Sequence, residues 1–424
     1  MRRKKYIPLI PCTIILLTTL LYQCSTPNTY SKHTSHKTIP IAKGDRLQAQ
    51  FYFYKNSDTS AICYLLLNTD PLLFARLDTG IQFYASLKVT LYLYSNTKNT
   101  RSDSISKTFY IPSHQSTFFQ SIHIPVQTDN YHVKITLTDQ HKKQQYIYYN
   151  ELLLATLYTR HNFLLVQNNK ILFKPYVIQG SEVYIYHQKK FPQLQVDVFH
   201  YNHTPAPPPF ANITNSFQYI PDSSFTIPIS PQGYYTLTIP PNTYYHIRAR
   251  QEFMEGITIF SNDSIFPNIR DAREMLYTSR YIMNKNEFER CATQQNTTAI
   301  KKCIDNFWIQ IAGGKERAKE LIKQYYQRVI DANRLFTSSK YGWQTDQGMI
   351  YIIFGPPEDI KKNLQSEKWY YSVNGQKNAL IFNFHKNKNS PFSVSEYVLE
   401  RSDYYKDIWY LTVDKIRQGR LTIK

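Results

Sequence analysis

Asp346 follows Trp343 by three positions in Tyr341-Gly342-Trp343-Gln344-Thr345-Asp346-Gln347-Gly348. A carboxylate beside an indole is one candidate ligand site. With His385, Glu358 and Asp359 it would form an acid–base pocket if folding brings the four together, because the set holds both a proton acceptor and a histidine that titrates near neutrality. The competing and favoured reading is architectural. Trp343 then anchors a loop, Asp346 holds loop backbone, Glu358 and Asp359 sit at a solvated turn, and His385 ends a strand. Other chemistry is sparse. His200 and His203 are three apart, but a strand ends near His200 and no carboxylate partner is evident, so no metal site is expected. HExxH, GxSxG and phosphate-cradling glycine loops are missing, as is any CxxC pair. No cofactor is expected, and the residue set favours binding over catalysis.

The elements that must position Trp343 and Asp346 are a helix before them and a short apolar run after them. Lys315 to about Phe336 has apolar or small residues at Ala318, Leu321, Ile322, Tyr325, Val329, Ala332 and Phe336, a helical spacing. Lys315, Glu316, Lys319, Glu320, Lys323 and Arg328 fall on its other face. Gly342 and Gly348 are the positions freest to take φ > 0. Thr345 and Asp346 carry short oxygens that can bond nearby backbone N–H groups. Met349 to Phe354 is uninterrupted apolar sequence, which predicts a strand covered on both faces. Pro356 and Pro357 have no N–H and would end its ladder.

This order of features resembles the GWxTD family of bacterial envelope proteins. The residues that carry the resemblance are Phe307-Trp308, Tyr325-Tyr326, Asp331 to Phe336, Gly342-Trp343-Gln344-Thr345-Asp346 with Gly348, and Ile350 to Pro357. Trp369-Tyr370-Tyr371 and Ile381-Phe382-Asn383-Phe384 look like the family's later strands. The resemblance covers about residues 270–400. It implies a module and an envelope location, and no particular reaction.

The address is read from the N-terminus. Arg2, Arg3, Lys4 and Lys5 precede a mostly apolar run from Tyr6 to Leu21, shorter than the ~20 residues of a comfortable membrane span and suited to a secretory signal. Leu21-Tyr22-Gln23-Cys24-Ser25 resembles a lipoprotein processing site, with Cys24 as the lipidated residue and Gln23 departing from the usual small residue. Ser rather than Asp after the cysteine points to the outer membrane. Residues 1–23 are the expected signal and 24–43 a polar, flexible tether. Removing four basic residues lowers the net charge from +19 to +15. The positive charges are scattered and no nucleic-acid module is present, so nucleic acid is excluded as a partner. Anionic headgroups or envelope polysaccharide suit the charge better, beside the plainer reading of a diffuse basic surface. Cys63 reads as a buried strand thiol. Cys291 and Cys303 flank a polar run in an exported chain, where a disulfide can persist. A bridge between them and two separate thiols both fit the spacing.

Fold class follows from the changing period. From Leu47 to Phe266 short alternating strands dominate, as in Leu87, Val89, Leu91 and Leu93, separated by polar turns. Tandem antiparallel β-sandwiches are expected at 44–150 and 151–266, with one enlarged β domain as the alternative. Thirty-six tyrosines suit a pleated, half-buried surface better than a sugar-stacking face. After Pro267 the period becomes helical, with Asp271 to Met283 reading as helix. A helical segment plus a small α+β module is expected over 267–424, closing on a helix that contains Trp409 or, failing that, a strand from Trp409 to Val413. The expected function is that of an exported, lipid-anchored envelope protein, a binding or assembly scaffold. It would meet the membrane through its anchor and an envelope protein or polysaccharide through its body. The alternative is a hydrolase or transferase acting on envelope polymers through the C-terminal module.

Overall fold

Alternation of apolar and polar residues lays down the first layers. The computed structural model describes residues 47–76, 82–97, 101–178, 180–201, 204–212, 218–373, 375–388, 390–392, 394 and 396–421. The expectations for the signal, the tether, Cys24 and His203 fall outside these residues. The first part is built from β1 (Ala49–Lys55), β2 (Ser60–Asn68), β3 (Ala75–Arg76), β4 (Phe83–Ser95), β5 (Arg101–Pro112), β6 (Thr117–Pro125), β7 (Asn130–Asp139) and β8 (Gln144–Leu153). One sheet has the order β1-β2-β6. The facing sheet runs β3-β4-β7-β8, with β5 also paired to β4. All these pairings are antiparallel. Leu87, Val89, Leu91 and Leu93 point inward, each at most 1% exposed, and pack on Cys63, Leu65, Ile122, Ile135 and Leu137. Each such side chain contributes about 1.5–3 kcal/mol when fully buried, so the stripe outweighs any single polar bond in the sheet.

A second pair of sheets follows. Its strands are β9 (Phe163–Gln167), β10 (Lys170–Ile171), β11 (Tyr176–Ile178), β12 (Glu182–His187), β13 (Gln193–His200), β14 (Ser223–Pro228), β15 (Tyr235–Thr238), β16 (Thr243–Arg248) and β17 (Ile257–Asn262). They form the orders β10-β9-β12-β15 and β11-β17-β16-β13-β14. The β11–β17 pairing is parallel and departs from the purely antiparallel expectation. Phe163, Leu165, Val183, Ile185, Val196, Leu237, Ile247 and Ile259 fill the space between these sheets. Every residue of β16 and β17 is buried. Their outer faces are covered because Phe199, Tyr244 and Phe260 pack with Phe392 from the C-terminal part.

The remainder is α+β, as the change of period predicts. It comprises α1 (Ala272–Thr278), α2 (Lys285–Ala292), α3 (Thr297–Ala312), α4 (Lys315–Phe336), α5 (Asp346–Phe354), β18 (Asp359–Lys362), β19 (Ser366–Val373), β20 (Gln376–Lys386), β21 (Tyr397–Leu399) and α6 (Lys406–Arg417). Asp271, Asn284 and Asn296 cap α1, α2 and α3 by accepting backbone N–H bonds. The helix expected over Asp271 to Met283 is shorter, because α1 tightens into a 3₁₀ turn at Ser279–Tyr281. Cys291 in α2 and Cys303 in α3 are joined by a disulfide. The last element is a helix, not the alternative strand, with Trp409, Thr412 and Ile416 on its buried face. β18 to β21 form one sheet in sequence order.

The apolar run expected as a strand is helical. Met349 to Phe354 forms most of α5, and every residue from Asp346 to Phe354 is buried. A helix enclosed on all sides carries no polar stripe, so its sequence shows no period and matches a buried strand equally well. What decides the matter is its N-terminus. The Thr345 hydroxyl accepts the Gly348 N–H at 3.0 Å, a side-chain cap that starts a helix. Gly355, at φ +79°, ends it. Arg328 does not face solvent with the other charges of α4. It donates to the Ile352 and Ile353 carbonyls, both at 3.0 Å, and so satisfies the open end of α5.

Candidate functional site

The loop between α4 and α5 is held by bonds from nearly every direction. Gly342 donates its N–H to the Thr337 hydroxyl at 2.8 Å. A Cβ on Gly342 would sit 1.9 Å from the Ala332 carbonyl oxygen, so only glycine lets the loop lie this close to α4. A Cβ on Gly348 would sit 1.8 Å from the Gly342 carbonyl oxygen. The Thr345 hydroxyl donates to that carbonyl at 2.8 Å while capping α5. Gln344 accepts the Tyr341 N–H at 3.0 Å and donates to the Thr204 carbonyl at 3.2 Å.

Trp343 is fully buried. Its N–H donates to Asn333 Oδ1 at 3.1 Å, and its carbonyl accepts from the Tyr281 hydroxyl at 2.7 Å. Asn333 also donates to the Pro267 carbonyl, and Tyr281 accepts the Ala206 N–H. The indole Nε1 has no hydrogen-bond partner among the described residues, so the ring acts through its packing. Asp346 is also buried. Its Oδ1 accepts from Arg401 Nη2 at 2.5 Å, and its Oδ2 from Arg401 Nη1 at 3.1 Å and from the Leu399 N–H at 2.8 Å. This is a two-pronged ion pair with an added backbone bond, which clamps the start of α5 to the end of β21.

The postulated acid–base pocket is therefore not assembled. Asp346 lies under Arg401, whereas His385 is exposed on β20 and faces the equally exposed Glu400 at 3.3 Å. Glu358 and Asp359 are exposed as well. His385 falls outward because Phe384, its neighbour along the pleat, points into the core. Arg401, Tyr281, Asn333 and Glu367 complete the loop's surroundings and were not singled out from sequence. Glu367 accepts from Gln347 and Trp369 and pairs with Lys362, joining α5 to the sheet. Asp331-Ala332-Asn333 stood inside the motif-bearing helix and offered a faint signal. Arg401 offered none, since its partner lies 55 positions away. Among the described residues no group of three or more His, Cys, Asp and Glu is placed to hold a metal ion.

Open space lies elsewhere. A cleft of about 380 Å³ opens where β1, the end of β8, the 3₁₀ turn Arg160–Asn162, β18, β20 and β21 converge. Tyr52, Glu151, Arg160, Lys362, Lys386 and Tyr397 supply its polar lining. Tyr52 donates its hydroxyl to the Phe163 carbonyl at 2.8 Å. Lys386 pairs with Glu151. Burial opposes the charge on Lys362, but Glu367 and then Tyr397 hold its pKa above the ordinary lysine value. Burial, and then the Arg160 charge, press His161 well below its usual pKa, so it is neutral near pH 7 and accepts the Leu153 N–H at 2.9 Å. Burial also lowers the Arg160 pKa, with Glu151 opposing the shift. Nothing in the sequence marks this cleft, because its residues range from position 51 to position 397.

A family model described as the GWxTD domain matches residues 243–418, a span that starts in β16 and ends just after α6. No curated protein matches the chain. Among solved structures, the chain is similar to a protein described as a beta-galactosidase from Bacteroides fragilis. The identity is 12%, over 31% of this chain and 20% of that one, with a TM-score of 0.17. It thus spans a fifth of that protein's length. A two-domain fibronectin type-III segment of chicken tenascin is 9% identical over 46% of this chain and 86% of that one, with a TM-score of 0.14. The CBD12 segment of CALX1.2 is 11% identical over 60% and 92%, with a TM-score of 0.15. Likeness at this level carries no argument about function.

Proposed function

We propose that this chain, with a GWxTD domain over residues 243–418, is an exported, lipid-anchored protein of the cell envelope that works by binding or assembly. The observation that carries the binding half is the use to which the motif is put. Gly342, Thr345, Asp346 and Gly348 spend their polar groups or their small size on the loop and on α5, and Trp343 is enclosed. A carboxylate held by Arg401 and a backbone N–H is poorly placed to exchange protons with a substrate. The motif therefore makes a rigid module, and the open cleft at its border with the β layers is where a partner has room. The envelope address rests on the basic and apolar N-terminus with Cys24-Ser25.

Two measurements test this reading. Cell fractionation with a lipid label is expected to place the chain in the membrane fraction and to lose both label and membrane association in Cys24→Ala. Crosslinking in intact envelopes followed by capture is expected to return a recurrent protein or glycan. A Cys24→Ala chain that stays membrane-bound would end the anchor proposal, and repeated empty captures would end the binding proposal.

A further inference from the structure

We infer that the groove built around the GWxTD motif is a receptor for an extended, uncharged, proline-rich peptide, and that the chain's own residues 204–210 fill it as a displaceable strap. The partner is then a protein that displays such a segment. This deepens the reading of the chain as a binding protein and rests on it.

The strap is an excursion from the β layers. β13 and β14 are antiparallel neighbours, and such neighbours need only about two to five residues to connect them. Here the connection runs from residue 201 to residue 222. Within it, Thr204-Pro205-Ala206-Pro207-Pro208-Pro209-Phe210 lies on the GWxTD domain. Proline holds φ near its own fixed value, and the residue before a proline is pushed to extended backbone. Thr204, Ala206, Pro207 and Pro208 all precede prolines. The stretch is therefore stiff before it docks and loses little freedom on binding.

The domain reads the main chain of the strap at four points. Gln344 Nε2 donates to the Thr204 carbonyl at 3.2 Å, and the Tyr281 hydroxyl accepts the Ala206 N–H at 3.1 Å. Arg401 Nη2 donates to the Pro207 carbonyl at 3.3 Å, and the Ser402 N–H donates to the Pro209 carbonyl at 3.1 Å. The motif sets three of these groups. Gln344 stands in it, Tyr281 donates to the Trp343 carbonyl, and Arg401 is clamped by Asp346. The loop that braces α5 thus also aims its neighbours at the strap. All four reading residues lie within 243–418, whereas the strap precedes that span.

These contacts define which peptides fit. The Ala206 N–H is bonded to Tyr281, so proline is excluded at that position. Ala206 is 8% exposed and packs in the core of the C-terminal part, so its side chain must be small. The flanking prolines have no N–H to leave unpaired in the groove. Phe210 packs against Tyr410 of α6, with ring centroids 5.4 Å apart. The ligand class is therefore proline, small residue, three prolines and an aromatic, recognised through its carbonyls.

The test uses a full-length variant in which residues 204–210 are replaced by an equal run of glycine and serine, and a synthetic peptide of residues 204–212 with capped ends. In calorimetry the peptide is expected to bind this variant with a Kd of about 0.1 mM or tighter. A tethered segment competes at an effective concentration of roughly 1 mM, so the unaltered chain should bind the peptide at least about tenfold more weakly. A peptide carrying Ala206→Pro lacks the N–H that Tyr281 accepts and should lose at least about tenfold in affinity for the variant, with no change to the domain itself. Melting curves check that the strap variant folds. If it does not, amide exchange in the unaltered chain carries the test, and the Ala206 amide is expected to exchange at least about tenfold faster than the amides of α5. No binding to a folded strap variant at roughly 1 mM peptide, equal binding by the unaltered chain, equal binding of the Ala206→Pro peptide, or an Ala206 amide that exchanges only with global unfolding would each overturn the assignment. A chain that is anchored and captures an envelope partner, yet whose folded strap variant binds no peptide, refutes this inference and leaves the proposed function standing.

Discussion

Asp346→Asn separates a structural motif from a catalytic one. The substitution keeps the size of the side chain and removes its charge. Asparagine Oδ1 can still accept the Leu399 N–H, which lies 2.8 Å from the present carboxylate. Its amide N–H₂ then faces the Arg401 guanidinium, donor against donor, where two charge-assisted bonds of 2.5 and 3.1 Å stood. Arg401 remains largely buried, its side chain 11% exposed, without its counter-charge. Breaking a buried pair by altering one member costs about 3–5 kcal/mol, a large part of the roughly 5–15 kcal/mol that holds a domain together. For a body of 150–250 residues each kcal/mol moves the melting temperature by about 2–4 °C, so a fall of roughly 6–20 °C is expected. Thermal and urea unfolding followed by far-UV circular dichroism measure it. The pair Asp346→Leu with Arg401→Met closes a double-mutant cycle, and the double variant should recover part of the loss, because an apolar pair leaves no stranded charge. A folded Asp346→Asn chain that loses less than about 1 kcal/mol while losing its cellular phenotype would refute the reasoning, since Asp346 would then matter for more than holding α5.

Other expectations follow from the same geometry. Gly348→Ala drives a Cβ to 1.8 Å from the Gly342 carbonyl oxygen and should destabilise by more than about 3 kcal/mol in urea unfolding. Gly375→Ala meets nothing within 4 Å and should cost only about 1 kcal/mol of backbone strain at φ +77°. His187 and His246 are buried, and burial lowers each to a pKa of about 4 against an ordinary 6.5. A depressed histidine pKa gives stability that is complete above pH 6.5 and is lost as pH falls toward 4, at most about 3 kcal/mol for each residue. Unfolding free energy measured between pH 7 and pH 4 should drop, and His246→Gln should flatten that slope. Reducing the Cys291–Cys303 disulfide opens a loop with a sequence separation of 12 and should cost about 3 kcal/mol, read as a lower melting temperature in dithiothreitol.

Local pattern was enough for much of this chain. Leu87 to Leu93 alternates and is a strand, because period two fits only a pleated element with one buried face. Lys315 to Phe336 carries one apolar stripe and is a helix over the span its sequence suggests. The β-rich front half, the later helices and the small α+β part were legible for the same reason, each segment having one dry face and one wet one. The order of Gly342, Trp343, Thr345 and Asp346 likewise told of a defined module before any contact was known. Legibility ended where both faces are dry or where partners are distant. Met349 to Phe354 is apolar on every side, so only the Thr345 cap and the surrounding α4 and sheet decide that it coils. Whether Asp346 meets Arg401 or His385 depends on how β21 lies beside β20, a long-range pairing invisible in local spacing. The charged cleft belongs to the same class. Tyr52, Arg160 and Lys386 have no pattern in common until the packing of the β layers against the last sheet places their side chains around one space, because charge complementarity acts across distance in the fold and not along the chain.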